Sequence, residues 1–536
     1  MKIIEIQASG NRDEDQKQTA LAVLGATEDH KYVLLDVQTG GGKTRICKII
    51  QELSGLKTTA LVNTISNQNN YVKEGFALIK GGSNYDCELL EEKADSCPYE
   101  SRRDCSLIHV CHLEKASTAF KLNKKSVANY SYFLTRGNSV PEPFEEEDQT
   151  QLLFLDEAHT LIKALTEETA AEFTYRELDD LGIFWKALQK KGDSAYPLLF
   201  DAMEEAKITV DADIKKCRDE RRKIATVDPA LARPSGKEKH LIALSRKIKG
   251  VLSQEKPIFL EWNANGLRTK SFLPMPISGV LENYDVPVVL ATGTFGDYQT
   301  FTELLGIDKN DYAVIKYPYR FTPQECFVKN IFNEEISYPS GKDPLKDRNK
   351  TVVLDNQAKA IAETVDKLAR NKLSYCGLIL VNSYDQAEKL AFRLNDVGLS
   401  RMEYIAQPKG LSSEKVIEWW EKQKLSISQI CLVSPTLWEG YDGNDEAFCI
   451  LAKAPFPSLG DDYIVRRMKE KNKVFTFEIA LQIVQGIGRP RRGKAEHYGV
   501  EDLANGQPQG KFVAIADKAL LKYSDKFGSF VRQSLC

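Results

Sequence analysis

YVLLDVQTGGGKT (32–44) joins an apolar, β-branched run to a glycine-rich turn that ends in Lys43 and Thr44. The run predicts a buried parallel strand, because such strands are covered on both faces. A glycine turn between a strand and a helix lets backbone N–H groups point at phosphate oxygens. The lysine can then reach the β- and γ-phosphates, and the threonine hydroxyl can bind Mg²⁺. The stretch predicts a nucleotide-binding strand-loop-helix unit, with a chance glycine turn as the alternative.

Similar apolar runs followed by turn residues recur along the chain, with helical patterns such as SYDQAEKLAFRLNDVG (383–398) between them. This alternation predicts an α/β, doubly wound protein in two blocks. Residues 165–270, between the blocks, carry charged, helix-periodic segments and no convincing strand, so we expect a helical insertion there. The runs are TTALVNT (58–64), QLLFLDEAH (151–159), VPVVLATGT (286–294), CGLILVNS (376–383), QICLVSPT (429–436) and FVAIADK (512–518).

Length and composition limit the class of protein. A chain of 536 residues with 42% apolar residues exceeds one hydrophobic core, so two to four domains are expected. No window approaches the roughly 18 apolar residues of a membrane span, and no signal sequence is evident, so we expect an intracellular protein. The net charge of −3 neither supports nor excludes nucleic acid as a partner.

LLFLDEAH carries a second set of candidate residues, because its apolar strand delivers Asp156 and Glu157 at the carboxyl end. Asp156 would bind Mg²⁺, and Glu157 would orient and deprotonate an attacking water, as phosphoryl transfer requires. A solvated strand end is the alternative for an isolated pair of this kind. His159 would either couple the nucleotide site to a neighbouring domain or have a structural role.

QIVQGIGRPRRG contains the third set, in which Gln485, Gly488, Arg489 and Arg492 form the pattern QxxGRxxR. Two arginines three residues apart share a helix face, so both guanidinium groups could meet a γ-phosphate. Clustered arginines also occur on solvated or nucleic-acid-facing surfaces, and we interpret Arg491 in that way.

Four of the eleven cysteines are close together in the sequence, at Cys87, Cys97, Cys105 and Cys111. In a reducing compartment such a group indicates a metal or redox centre before it indicates disulfides. The spacings lack the C-x₂-C pairs of most structural zinc sites. An iron–sulfur cluster, a zinc site and a set of unconnected buried thiols remain open as interpretations.

The motifs together resemble the XPD/DinG type of superfamily-two helicases. The resemblance runs from about Arg12 to Asp517, which is nearly the whole chain. The matching segments are TGGGKT, KGGSNYDC (80–87), VANYSYFL (127–134), LDEAH, ATGT (291–294), SPTLWEGYDG (434–443), KAPFPSLGDD (453–462) and QGIGRPRR.

The resemblance implies two RecA-like motor domains, with an iron–sulfur insertion and a helical arch insertion in the first. It also implies ATP-driven movement along single-stranded DNA, 5′→3′ if the polarity of the family applies, with the iron–sulfur domain at the duplex junction. The expected first motor domain comprises residues 1–80, 127–165 and 271–320, the iron–sulfur domain 81–126, the arch 166–270 and the second motor domain 321–536.

Site residues follow from the same resemblance. Arg12 and Gln16 resemble the adenine-side motif, with ordinary helix capping as the alternative. Expected nucleotide ligands are Gly40, Gly41, Gly42, Lys43, Thr44, Gln16 and Asp442, with Thr44 and Asp156 on Mg²⁺. Expected catalytic residues are Lys43, Asp156, Glu157, Gln485, Arg489 and Arg492. The four cysteines would bind a 4Fe–4S cluster.

Three departures from the family pattern stand beside these matches. Val37 occupies the position where the full phosphate-loop pattern has glycine, Gln38 stands where the family commonly has proline, and ATGT replaces the commoner SAT form. Backbone N–H groups hold the phosphates, so the first two leave the nucleotide site intact. The third lies in the segment that links the ATP and DNA sites in the family.

Expected cofactors are ATP, Mg²⁺ and the 4Fe–4S cluster, and expected partners are single-stranded DNA and duplex junctions. We expect the protein to be a monomer and to have no membrane partner. Two alternatives remain open. One is an ATP-driven translocase that strips proteins or remodels R-loops without unwinding duplex. The other is an ATP-gated clamp that binds DNA and recruits partners.

Overall fold

The computed structural model of the chain forms two compact units. The first unit holds the described residues up to 318, apart from Gly41 and residues 293–300. The second unit holds Gly41, residues 293–300 and the described residues from 326 onward. The structure describes residues 2–37, 41–88, 92–94, 105–137, 150–227, 235–254, 258–281, 285–318, 326–336, 344–369, 375–399, 401–438, 441, 446–457, 460–488 and 511–527.

Strands and helices alternate through most of both units. The strands are β1 (Lys2–Glu5), β2 (Tyr32–Asp36), β3 (Thr58–Val62), β4 (Ala77–Leu78), β5 (Asp86–Cys87), β6 (Glu92–Lys93), β7 (Lys125–Asn129), β8 (Leu152–Asp156), β9 (Ala171–Thr174), β10 (Ile258–Trp262), β11 (Gly266–Ser271), β12 (Val288–Thr292), β13 (Tyr312–Lys316), β14 (Cys326–Asn330), β15 (Tyr375–Leu380), β16 (Glu403–Ala406), β17 (Gln429–Ser434), β18 (Phe448–Leu451) and β19 (Lys511–Ile515).

The helices are α1 (Arg12–Asp29), α2 (Lys43–Ser54), α3 (Ile65–Lys73), α4 (His112–Leu122), α5 (Tyr130–Gly137), α6 (Leu161–Glu168), α7 (Tyr175–Asp180), α8 (Trp185–Lys191), α9 (Tyr196–Val227), α10 (Gly236–Leu252), α11 (Ile277–Val280), α12 (Tyr298–Leu304), α13 (Pro344–Ala369), α14 (Tyr384–Val397), α15 (Ser413–Ser426), α16 (Asp462–Glu470) and α17 (Asn472–Gly488). Across the described residues, no helix combines the length and apolar character needed to cross a membrane.

The first unit is built on an eight-stranded sheet of order β1-β13-β2-β12-β8-β3-β7-β4. Its neighbouring strands are paired in parallel. Every residue of β2, β3, β8 and β12 is buried, as expected for parallel strands that are covered on both faces. One face packs against α1, α2 and α3 through Ala20, Ile46 and Tyr71.

The strand order brings the candidate motifs together at one edge of this sheet. β2 and β8 lie on either side of β12, with Asp36 opposite Thr292 and Asp156 opposite Ala291. Parallel strands have their carboxyl ends at the same edge, where α/β proteins bind their ligands. Neighbouring strands are about 5 Å apart, so the ends of β2 and β8 are roughly 10 Å apart.

A small segment is inserted between β4 and β7. Its strands β5 and β6 form an antiparallel two-stranded ribbon, and α4 follows them in the chain. The buried side chains of its core cluster are Cys87, Ala94 and Leu113, with Tyr85 and Cys111 packed against them. The described part of this segment therefore forms a small apolar core.

A larger insertion lies between α6 and α11. Its long helix α9 packs along α10, and both share an apolar core with a three-stranded antiparallel sheet of order β10-β11-β9. The expectation of no strand in residues 165–270 is therefore wrong. The sequence did not predict β9 because this strand is only four residues long, alternates buried and exposed side chains, and is followed directly by α7. Thr174 and Glu177 form a capping box that starts this helix.

The second unit contains a six-stranded sheet of order β14-β19-β18-β15-β17-β16, paired in parallel. Alternate residues of its strands face opposite cores, as Ile379 and Leu380 of β15 illustrate. Helices α13 and α14 cover one face, and α15 and α17 cover the other. The prediction of an α/β protein with parallel sheets is confirmed.

Candidate nucleotide-binding site

The glycine turn after β2 is shaped for a close backbone approach. Gly42 has a φ of 89°, in the left-handed region, and immediately precedes the first residue of α2. A Cβ atom at Gly42 would lie 2.3 Å from Nε2 of Gln16, so a larger residue would clash there. No side chain caps the start of α2. Such a helix start favours an anion.

Lys43 extends from the first position of α2 toward the end of β8. Its Nζ lies 2.9 Å from Oε1 of Glu157 and 4.0 Å from Oδ1 of Asp156. The ammonium group is buried, so its charge is balanced by these carboxylates instead of by water. Thr44, the next residue, is half-buried. The structure therefore brings together Lys43, Asp156 and Glu157, which are three of the expected catalytic residues.

Asp156 is held in one orientation by hydrogen bonds to both carboxylate oxygens. The backbone N–H of Glu157 donates to Oδ1 at 2.8 Å, and the hydroxyl of Tyr71 donates to Oδ2 at 3.1 Å. Burial raises the pKa of Asp156 to about 6, although Lys43 opposes the shift, and the neighbouring Glu157 adds to it. The raised pKa indicates a carboxylate that is poorly solvated and needs cations around it.

Glu157 has an unusual backbone conformation. It is the one non-glycine residue with positive φ in the part of the chain that the structure describes, at φ 53° and ψ 45°. This left-handed conformation costs about 1–3 kcal/mol and persists only where the surroundings enforce it. Its carbonyl accepts hydrogen bonds from the backbone N–H and the hydroxyl of Thr160, at 2.9 and 2.8 Å.

His159 connects the ends of two strands. Its Nδ1 is 2.8 Å from Oγ1 of Thr292, within ATGT, and 3.4 Å from Oε2 of Glu157. Glu157 therefore lies between Lys43 and His159. A role for His159 in coupling to another domain is untested, and its observed partners belong to the first unit.

Gln16 and Arg12 lie against the glycine turn from the start of α1. Gln16 is fully buried, and a Cβ atom at Gly42 would lie 3.3 Å from Nη2 of Arg12. Asn11 caps the same helix by accepting from the N–H groups of Asp13 and Glu14. Helix capping is thus done by Asn11, which leaves Arg12 and Gln16 beside the candidate nucleotide site.

Three of the four clustered cysteines lie near one another. Cys87 is buried, and Cys105 and Cys111 are half-buried. Burial raises the pKa of the Cys105 thiol, a hydrogen bond from the Leu107 backbone opposes the shift, and the nearby Cys87 and Cys111 add to the rise. The fourth, Cys97, lies outside the described residues.

No disulfide and no metal centre is evident around these thiols. Cys87, Cys105 and Cys111 form no disulfide. No group of three or more His, Cys, Asp or Glu side chains in the described ranges is arranged to hold a metal ion. Cys87, Cys105 and Cys111 lie near one another in the first unit, and a metal cluster bound by the four cysteines stays a prediction.

The candidate residues of the second unit are partly described. Gln485 is buried on α17. Trp438 packs on the same helix, because a Cβ atom at Gly486 would lie 2.9 Å from its ring. Its Nε1 donates to the carbonyl of Val381 at 2.7 Å. Gly40, Asp442, Arg489 and Arg492 lie outside the described residues.

Sequence reasoning missed two tyrosines at the site. The hydroxyl of Tyr130 donates to the carbonyl of Asp156 at 2.8 Å, and Tyr71 donates to the carboxylate of the same residue. Tyr130 directly follows β7 in VANYSYFL, at the same sheet edge as Asp156. The match of VANYSYFL to a family segment was the available signal for Tyr130, whereas Tyr71 lies within a helix without a motif.

Comparison with known proteins identifies the fold. No family model and no curated protein matches the sequence. The structure of S. tokodaii Xpd4 matches with a TM-score of 0.53 and 16% identity over 97% of this chain and 99% of that chain. An XPD helicase structure matches with a TM-score of 0.53 and 14% identity over 97% and 98%. The chain therefore has the fold of the XPD helicase structures along nearly its whole length.

Proposed function

We propose that the chain is an ATP-dependent DNA helicase that moves along single-stranded DNA in the 5′→3′ direction. The observation that carries the proposal is the group of Lys43, Asp156 and Glu157 beside the left-handed Gly42. An ammonium group, a glycine turn at a helix start and two carboxylates are what phosphoryl transfer requires. The XPD-like fold and the motif order support a helicase over other ATPases.

The chemistry is assigned to this chain's own residues. Backbone N–H groups of Gly40, Gly41 and Gly42 and the ammonium of Lys43 would bind the phosphates, with Gln16 and Asp442 as further nucleotide ligands. Thr44 and Asp156 would hold Mg²⁺, which supplies charge neutralisation between the β- and γ-phosphates. Glu157 would accept a proton from the attacking water at a carboxylate oxygen. Gln485, Arg489 and Arg492 would stabilise the negative charge that develops in the transition state.

We propose that Cys87, Cys97, Cys105 and Cys111 bind a 4Fe–4S cluster. The mutual proximity of three of these thiols and the small core around them support the proposal. Four thiolates are the usual ligand set of such a cluster. When bound, the cluster would contribute folding free energy that this segment lacks. A zinc site remains the competing interpretation, which metal analysis distinguishes.

The proposed domains are two RecA-like motors, an iron–sulfur segment (81–126) and an arch (166–270). The helices and small sheet between α6 and α11 support the arch assignment. We further propose an intracellular monomer that acts on single-stranded DNA and on duplex junctions.

The test is strand displacement on duplexes with a 5′ tail, a 3′ tail or no tail, with ATP and with a non-hydrolysable analogue. The proposal expects ATP-dependent displacement of the 5′-tailed substrate. ATP hydrolysis stimulated by single strands without displacement would favour the translocase that remodels complexes. Nucleotide-dependent DNA binding without hydrolysis would favour the clamp. A preference for RNA substrates would overturn the assignment to DNA.

A further inference from the structure

The peptide unit that joins Asp156 to Glu157 is hydrogen-bonded at both ends. Its N–H donates to Oδ1 of Asp156 at 2.8 Å, and its C=O accepts from the hydroxyl of Tyr130 at 2.8 Å. The orientation of this unit sets ψ of Asp156 and φ of Glu157. These bonds therefore act on the backbone torsion that places Glu157 in the left-handed region.

Tyr130 is fixed by the elements around it. β7 ends at Asn129, and the side chain of Asn129 accepts from the N–H of Tyr132 at 2.7 Å, which caps the first turn of α5. Tyr130 is the first residue of that helix and is 2% exposed. β7 and β8 both pair with β3, so Tyr130 reaches the end of β8 across one intervening strand.

Tyr71 holds the carboxylate of Asp156, whereas Tyr130 holds its carbonyl. It projects from α3, is fully buried, and contacts the ring of Phe76 edge-on at a centroid distance of 5.0 Å. Its hydroxyl donates to Oδ2 of Asp156, whereas the N–H of Glu157 donates to Oδ1. The carboxylate thus cannot rotate without breaking a buried hydrogen bond.

We propose that Tyr130 and Tyr71 are positioning residues for phosphoryl transfer, Tyr130 through the backbone of Glu157 and Tyr71 through the carboxylate of Asp156. The inference rests on the proposed function, since it assigns Glu157 as the base and Asp156 as a Mg²⁺ ligand. Neither tyrosine touches the reacting atoms. Tyr130 keeps the base aligned for the water, and Tyr71 keeps one carboxylate oxygen aligned for the metal ion.

The two substitutions Tyr130→Phe and Tyr71→Phe separate these effects, because each keeps the ring and removes only the hydroxyl. Tyr130→Phe should lower kcat for ATP roughly ten- to a hundredfold and change KM for ATP less than about twofold, since misplacing a catalytic group costs rate. Tyr71→Phe should raise the Mg²⁺ concentration at half-maximal binding of a fluorescent, non-hydrolysable ATP analogue by roughly ten- to a hundredfold. The second measurement does not depend on turnover.

A double variant tests the mechanism of Tyr130. In a Glu157→Gln background, Tyr130→Phe should cause no further loss of turnover, because the base that it positions is absent. Tyr71→Phe should still shift the Mg²⁺ titration in that background. The matched control is Tyr196→Phe, which removes another buried tyrosine hydroxyl that donates to a backbone carbonyl, that of Val251. Both measurements should be unchanged in the control.

The outcomes distinguish this inference from the proposed function. A wild-type chain that hydrolyses no ATP would overturn both. A hydrolysing wild type with Tyr130→Phe within twofold of its kcat, or with additive losses in the double variant, would overturn the role of Tyr130. An unchanged Mg²⁺ titration for Tyr71→Phe would overturn the role of Tyr71, and an equal loss in Tyr196→Phe would reduce both to ordinary packing.

Discussion

The candidate nucleotide site and the cysteine segment belong to the same unit but are held in place by different means. Lys43 and Asp156 stand at the ends of elements that are packed into an eight-stranded sheet. In the described part of the cysteine segment, Cys87 forms a core cluster with the buried side chains of Ala94 and Leu113, and Tyr85 and Cys111 pack against it. Packing therefore fixes the first site before any ligand binds, whereas we expect the second to depend on what its thiols bind.

Magnitudes support this contrast. Burying a side chain such as Leu113 stabilises a fold by about 1.5–3 kcal/mol. Ordering each backbone residue costs about 1–2 kcal/mol, so the burial of one such side chain offsets the ordering of roughly one or two residues. A structural metal contributes on the order of 10 kcal/mol in small domains. Substitutions at the sheet edge should therefore abolish ATP hydrolysis and keep the fold. A cysteine substitution should instead disrupt the cysteine segment and leave ATP binding intact.

Lys43→Ala provides the strongest test of the sheet edge. Loss of the ammonium removes the charge that faces the β- and γ-phosphates, so ATP hydrolysis should fall to background. The far-UV circular dichroism spectrum should match that of wild type, because the surrounding elements are buried without it. Near-normal turnover would remove the nucleotide-site assignment. Loss of the fold would instead contradict the claim that packing alone holds this edge.

Arg489→Ala and Arg492→Ala extend the test to the second unit. Each should lower turnover by roughly a thousandfold or more if the arginine stabilises transition-state charge. Nucleotide affinity should change much less, since the effect arises mainly in the transition state. Arg491→Ala, in the same segment, is the matched control and should retain turnover. Activity within a few-fold of wild type would reassign the substituted arginine to the surface or to DNA contact.

Glu157→Gln should separate binding from chemistry at the sheet edge. The general base is lost while Asp156 remains, so hydrolysis should fall roughly a hundred- to ten-thousandfold and ATP binding should persist. Equilibrium binding of a fluorescent ATP analogue and steady-state hydrolysis measure the two effects. Glu172→Gln, an exposed carboxylate on β9, is the control. A Glu157→Gln protein unable to bind ATP would contradict the assigned role.

Cys105→Ser should affect ATP turnover least of these changes, because it acts on the cysteine segment. We expect loss of iron, of acid-labile sulfide and of strand displacement, with ATP binding retained and DNA-stimulated hydrolysis reduced by no more than a few-fold. Cys217→Ser, on α9 and also half-buried, is the control. Wild-type protein purified anaerobically with zinc and no iron would exclude the cluster. Normal unwinding by Cys105→Ser would exclude a role at the duplex junction.

The sequence predicted much of the sheet edge because its strands are continuous apolar runs and one of them ends in a glycine-rich turn. Continuous apolar runs located β2, β8 and β12, and the polar residues that follow β2 and β8 located the site. The left-handed backbone of Glu157 and the hydrogen bond from Tyr130 to the carbonyl of Asp156 could not be predicted, because the position of Tyr130 depends on β7 lying beside β3 in space.

The insertions were less predictable for a related reason. β9 is short and half-exposed, so its alternation was hidden within a helix-periodic, charged stretch. In the cysteine segment, spacing alone left zinc, an iron–sulfur cluster and unconnected thiols open. Proximity of Cys105 to Cys87 and Cys111 depends on the ribbon and on the turn before α4, which carry little sequence pattern.

A DNA-stimulated ATPase at the edge of the first sheet can be tested by steady-state ATP hydrolysis with and without single-stranded DNA. Wild type and Lys43→Ala should be compared at saturating ATP and Mg²⁺, with single-stranded RNA and blunt duplex DNA as alternative ligands. We predict that single-stranded DNA stimulates wild-type hydrolysis several-fold and that Lys43→Ala stays at background throughout. Wild-type hydrolysis that does not respond to single-stranded DNA, or that survives in Lys43→Ala, would contradict the account.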